Sequence, residues 1–246
     1  MSRPGKVFRR CRFVLAPEKG TLVDTVLARR FTGWTGLASA AALIVGVPLY
    51  FVYSGPPPDS NVLSRLLLQI LALGFLLLFV TGFRELVKSV DARYEWAGNF
   101  AFAAGLAYVL VTLVSSGLEA GAVIAADQPI DPTISVSGTY ILYGSIGRML
   151  LAFFLVALGY AVRSTGALPR WTGMSAYVLA AINVAFIPSL FFGNEPAFFY
   201  AANGWGTTAS LGAILSYWLL TMGVVTLRGE RSAARRLAHG THRVHG

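Results

Sequence analysis

Six apolar runs of about 20 residues or more divide this chain, at about 34–53, 62–83, 97–124, 138–162, 172–192 and 206–227. At a helical rise of about 1.5 Å per residue, each is long enough to cross roughly 30 Å of hydrocarbon. Backbone polar groups in lipid must find partners within their own segment, and the runs lack the alternation of barrel strands. The expected fold is therefore all-α, a polytopic membrane helix bundle of six transmembrane helices. Composition agrees: 55% hydrophobic and only 13% charged residues among 246 leave too little polar surface for a soluble domain.

The net charge of +9 would suggest nucleic acid if taken alone, but its distribution excludes that reading. Eight Lys or Arg precede the first run, and the loop after it has none. Arg84, Lys88 and Arg93 fill the next loop; loop 126–137 has none; Arg163 and Arg170 flank the following one; loop 193–205 has none; five arginines follow the last run. This alternation is the positive-inside pattern and predicts both termini in the cytoplasm. The chain divides into a basic cytoplasmic segment (1–33), the six-helix domain (34–227) and a basic tail (228–246). Within the first, Leu22, Val23, Val26, Leu27 and Phe31 fall at helical spacing. They fit either a short interfacial helix or a packed lead-in to the first span.

Cys11 is the only cysteine, so an intramolecular disulfide and a cysteine-based metal cluster are both excluded. The long basic lead-in, the full-span first run and the lack of a small-residue cleavage pattern after Tyr53 argue against a removable leader. His239, His242 and His245 lie in a basic, glycine-containing tail without supporting carboxylates, so no metal site is expected.

Three charges sit inside apolar runs: Arg65, Glu119 and Arg148. A charge in a membrane span is costly and marks a candidate site. The topology places all three in the outer half. Arg148 lies about ten residues into its run, roughly 15 Å deep, where snorkelling is hard; Arg65 and Glu119 are shallower, at roughly 6–7 Å. Gln69 shares a helical face with Arg65, four residues away. Glu119 is expected to pair with Arg148, Arg65 or both, with Gln69 completing the hydrogen bonds. Tyr140 and Tyr143 open the fourth run, and Asn183 lies near the middle of the fifth. The third run is rich in small residues, from Gly98 and Ala101 to Gly117 and Gly121, and is expected to be central in the bundle. The aromatic stretch 191–200 reads as an interfacial belt or as a lid over the outer mouth.

Gly159-Tyr160-Ala-Val-Arg163-Ser164-Thr-Gly-Ala167-Leu168-Pro169-Arg170-Trp171-Thr-Gly173 resembles the G-Y-x-x-x-S-x-x-L-P-R-W-x-G loop of uncharacterised bacterial multi-span membrane families carried as a domain of unknown function. This chain has three residues, not two, between Ser164 and Leu168. The resemblance implies a helical protein of the bacterial cytoplasmic membrane and brings no catalytic residue. Pro169 stops the fourth helix, and Arg163, Arg170 and Trp171 read as interfacial anchors.

No Walker loop, GxSxG, HExxH, paired-cysteine motif or dinucleotide fingerprint is present, and no histidine lies in any run. No cofactor is implied. Three functional readings follow. The first is a bundle that binds or moves a small, mostly apolar ligand at an outward-facing site of Arg65, Gln69, Glu119, Tyr140, Tyr143, Arg148 and Asn183. The second is a membrane-embedded enzyme processing a lipid or isoprenoid, for example a cyclase, with Glu119 as general acid. The third is an accessory subunit whose charges form a buried staple. Membrane lipid is the expected surrounding partner, with a second copy or another protein left open.

Overall fold

Hydrocarbon-length apolar runs leave helix as the only backbone solution, and the computed structural model is helical along almost its whole length. It describes residues 19–53, 55–136 and 138–242, with side chains from residue 23 to residue 230. Cys11 and His245 lie outside the described residues, as do the side chains of His239 and His242. Six long helices form the body: α1 (Lys19–Gly46), α2 (Asp59–Val90), α3 (Glu95–Ala125), α4 (Gly147–Thr165), α5 (Arg170–Phe186) and α6 (Leu211–His242). With their end turns they give six segments long and apolar enough to span a membrane: Val23–Phe51, Asp59–Val90, Ala92–Ala125, Thr139–Thr165, Arg170–Phe191 and Gly206–Glu230. Each lies on an expected run. Among the described residues no strand occurs.

Successive helices are neighbours from α1 to α5, and α6 returns to pack along α1. The α5–α6 seam is sparse and includes a hydrogen bond from Trp218 Nε1 to Ser175 Oγ of 3.1 Å. At the end carrying the chain termini the helices touch closely. A Cβ on Gly223 would lie 2.8 Å from Leu37 Cγ and 2.9 Å from the Gly33 carbonyl, so only glycine permits this α1–α6 approach. Phe79, Phe83, Phe154, Leu155 and Leu158 fill the interior beside this contact, nearly inaccessible to solvent. We call this the closed half.

The fold separates two readings left open above and revises one expectation. Residues 21–31 do not form a separate interfacial helix: α1 runs unbroken from Lys19 to Gly46, and Arg29 Nη2 donates to the Ala167 carbonyl at 2.6 Å, tying α1 to the α4–α5 turn. The packed lead-in is the arrangement found. The third span is not the most enclosed; the fourth is, with 56% of its apolar window buried against 39%. Gly98 and Gly105 do let α3 approach α2 and α4, but Gly117 and Gly121 face open space.

The stretch carrying the loop motif is a helical hairpin. A Cβ on Gly159 would meet the Gly173 carbonyl at 2.8 Å, so the pair lets α4 and α5 close together. Gly166 ends α4 at φ +67°, a left-handed conformation that favours glycine, with its N–H on the Val162 carbonyl.

At the opposite end the helices lose their regularity. Span 1 closes in a 3₁₀ turn (Val47–Phe51) and span 5 in another (Ile187–Phe191), each with a proline near its start. Spans 4 and 6 begin in wide π-type turns, Leu142–Ile146 and Gly206–Ser210. Gly144, at φ −77° and ψ −110°, kinks span 4 just before Arg148. Irregular backbone at membrane depth is tolerated where it lies against protein or lines a cavity, and π-type turns are frequent at functional sites.

Candidate functional site

A cavity of about 280 Å³ occupies this irregular half, between α1, α2, α3 and the starts of spans 4 and 6. Tyr50, Phe51 and Trp205 line it and are exposed, so they stand at its opening. Gly212 also lines it, and a Cβ there would meet nothing within 4 Å. The two helices that touch at Gly33 and Gly223 thus separate toward Val47 and Gly212.

Arg65, Gln69, Glu119, Tyr143 and Arg148 all line this cavity. The three charges are almost fully buried, at 4%, 3% and 5% exposure in chain order. Burial of that degree is costly for an ion unless partners replace its water. Those partners differ from the expected ones. Among the described residues, Glu119 makes no ion pair with either arginine, and its Oε1 has no hydrogen-bond partner.

Arg65 instead reaches into the 126–138 loop. Its Nη2 lies 3.8 Å from Asp131 Oδ1, and its guanidinium stacks 4.2 Å from the centre of the Tyr50 ring. Its Nε and Nη2 make no hydrogen bond among the described residues. Asp131 is held by its own turn, accepting from the Thr133 N–H at 3.1 Å and the Thr133 hydroxyl at 2.7 Å. Glu119 stays within electrostatic reach of both Arg65 and Asp131. Gln69 serves none of the charges: it donates to Ser116 Oγ at 3.1 Å and accepts from Tyr50 Oη at 3.4 Å.

Arg148 lies in a separate place. Nη2 donates to the Thr207 carbonyl at 2.5 Å, and Nη1 makes a long 3.5 Å contact with Asn183 Oδ1. Thr207 belongs to the wide turn that opens span 6, where the backbone leaves the regular helical pattern. Asn183 is anchored in turn, donating to the Leu179 carbonyl at 2.8 Å. It supports Arg148 from α5 and does not line the cavity. Nε of Arg148 has no partner, and no carboxylate lies within ion-pair distance among the described residues. Tyr143 stands within electrostatic reach of both Glu119 and Arg148, and its hydroxyl donates to Asn203 Oδ1 at 2.7 Å. Tyr140 is not among the lining residues.

The rest of the wall is mixed: Leu43, Leu73, Leu76 and Leu215 supply its apolar part, and Ser39, Tyr108, Thr112, Thr133, Asn203 and Thr208 add hydroxyl and amide groups. From the aromatic stretch only Pro196 contributes; Phe186, Phe192, Phe199 and Tyr200 pack on one another, with Phe199 against Trp205. Asn203 closes the cavity end by donating to the Thr133 carbonyl at 2.8 Å, joining two loops across the bundle. Asp131, Asn203 and the Thr207 carbonyl were not foreseen as parts of the site. Loop residues carry no apolar period that would place them, and the only local signal was the Asp131-Pro132-Thr133 turn.

These features define a multi-pass membrane helix bundle with a charged cavity in one half. Compared with known proteins, the chain matches no family model, no curated protein and no solved structure.

Proposed function

We propose that this protein binds or moves a small, mostly apolar ligand in the cavity of Arg65, Glu119 and Arg148. Our reading of the loop charges puts that cavity on the outer side of a bacterial cytoplasmic membrane, with both chain ends inside. The observation that carries the proposal is the pairing of a cavity with charges left incompletely partnered. A structural staple satisfies its charges internally, because half-satisfied buried polar groups cost more than an apolar core. Here Nε of both arginines and Oε1 of Glu119 have no partner among the described residues, and the three residues that carry them line the cavity. A leucine-rich wall carrying a few convergent polar groups is the usual make-up of a small-molecule site.

The test is native mass spectrometry of the gently purified protein, comparing wild type with Glu119→Gln and Arg148→Met. A specific small molecule retained by wild type and lost by folded variants supports the proposal. No bound species, with both variants unfolded, sinks it in favour of a staple within an accessory subunit.

One observation favours a second reading. Glu119 makes no ion pair with either arginine and one of its oxygens, Oε1, has no partner among the described residues, which suits a general acid in a lipid- or isoprenoid-processing enzyme. Turnover of the co-purified molecule by wild type, abolished in Glu119→Gln while binding persists, would establish it.

A further inference from the structure

The charged groups around the cavity fall into two unequal sets. At one end Arg65 is faced by Asp131 at 3.8 Å, with Glu119 also within electrostatic reach. Arg65 thus already has a counter-charge in Asp131, and an additional anion there would have to compete with it. At the other end Arg148 has, among the described residues, two neutral acceptors, the Thr207 carbonyl and the Asn183 amide, with Tyr108 and Tyr143 within electrostatic reach. Its Nε is unpartnered, and the side chain is 95% buried yet lines the cavity.

The two kinds of charge also differ in what they can do without a partner. A desolvated carboxyl can take up a proton and become neutral, whereas a guanidinium stays charged in proteins. Arg148 therefore brings a positive charge without a counter-charge among the described residues to the cavity wall. A planar guanidinium matches carboxylate and phosphate oxygens. Leu43, Leu73, Leu76 and Leu215 give the wall an apolar stretch that suits a hydrocarbon chain, beside hydroxyls such as Ser39, Thr112 and Thr208. A volume of about 280 Å³ sits at the lower end of ordinary ligand sites, roughly 300–1,000 Å³, which fits one chain and not the two of a common phospholipid.

Resting on the ligand-binding reading above, we propose that the cavity takes a single-chain anionic amphiphile, its carboxylate or phosphate seated on Arg148 and its tail among the four leucines. Asp131, 3.8 Å from Arg65, already supplies that guanidinium with a counter-charge, so the head is directed to Arg148.

The test is a scintillation-proximity binding assay on the full-length protein in phosphatidylcholine nanodiscs, with tritiated dodecanoate and tritiated dodecanol as probes. Saturable dodecanoate binding is expected. Dodecyl phosphate should displace it at a similar concentration, and dodecanol or dodecyltrimethylammonium should be at least tenfold weaker. Acetate and inorganic phosphate should fail even at a hundredfold excess, which separates a lipid headgroup from a free anion. Arg148→Gln should lower dodecanoate affinity at least tenfold and abolish discrimination against dodecanol, whereas Arg148→Lys should keep much of it. If Arg148→Gln does not fold, the headgroup series on wild type decides. Equal binding of dodecanol and dodecanoate overturns the anionic head but leaves a ligand site in place. Preference for dodecyltrimethylammonium overturns the sign of the head, and competition by acetate or phosphate alone overturns the tail. Saturable binding of neither probe overturns both this inference and the ligand-binding reading beneath it.

Discussion

Near Gly33 and Gly223, α1 and α6 touch backbone to backbone; about 21 Å further along α1, at Val47, they part around a cavity that Gly212 also lines. The same two helices are thus built by opposite rules at their two ends. In the closed half the helices are regular apart from the short 3₁₀ turn Ala92–Tyr94 that begins span 3, and glycines bring them together around large apolar side chains. In the cavity half every span except the second and third breaks into a 3₁₀ or π-type turn, and three nearly buried charges lack full partnership. On the function proposed above, the division assigns stability to one half and ligand binding to the other. Proteins commonly accept poorly satisfied groups where function requires them and compensate elsewhere.

The contrast can be broken from either side. The largest effect is expected from Phe154→Ala in the closed half, which empties a site only 1% exposed and should cost about 3–5 kcal/mol. Thermal unfolding in detergent, followed by near-ultraviolet circular dichroism, would measure it. Gly223→Leu comes next, since its Cβ alone would crowd Leu37 and the Gly33 carbonyl; overpacking of this kind costs about 1–3 kcal/mol. Loss of the α1–α6 contact should also appear as faster proteolysis of α6. In the cavity half, Arg65→Met removes a 3.8 Å ion pair and a ring stack but leaves Asp131 30% exposed and able to hydrate. Its cost should be about 1 kcal/mol in the same unfolding measurement. The smallest stability change belongs to Gly212→Leu, whose Cβ meets open space. The unfolding midpoint should stay at that of wild type while ligand occupancy by native mass spectrometry falls, because the side chain intrudes at the cavity wall. A large stability loss there would erase the distinction between the halves.

Much of this was legible in advance, for a physical reason. Lipid forbids unsatisfied backbone, so apolar runs of spanning length dictate helices almost without regard to detail, and all six fell where hydropathy put them. The same cost argument drew attention to Arg65, Glu119 and Arg148, which do converge on one cavity. Their pairing was not legible. Counting residues inward from a membrane surface gives depth, but not the angle at which a side chain leaves its helix around the bundle. Glu119 and Arg148 sit in the same half and yet in separate neighbourhoods, and the two arginines are each taken up by groups that apolar periodicity cannot locate. Asp131 comes from a loop, and the Thr207 carbonyl becomes available because span 6 opens in a wide turn. The small residues of α3 misled in a similar way: Gly105 packs inward while Gly117 and Gly121 face out, and composition alone does not distinguish them.

The most direct test of the account is the unfolding midpoint of Arg148→Met, measured beside its ligand occupancy by native mass spectrometry. Removing this guanidinium frees the Thr207 carbonyl and the Asn183 amide of a partner, at about 1–3 kcal/mol each. It also relieves the burial of a cation without a counter-charge, which costs several kcal/mol. The account predicts a midpoint within about 4 °C of wild type together with loss of the bound molecule. A collapse of the midpoint, with no bound species in either protein, would contradict it and make Arg148 a structural strut.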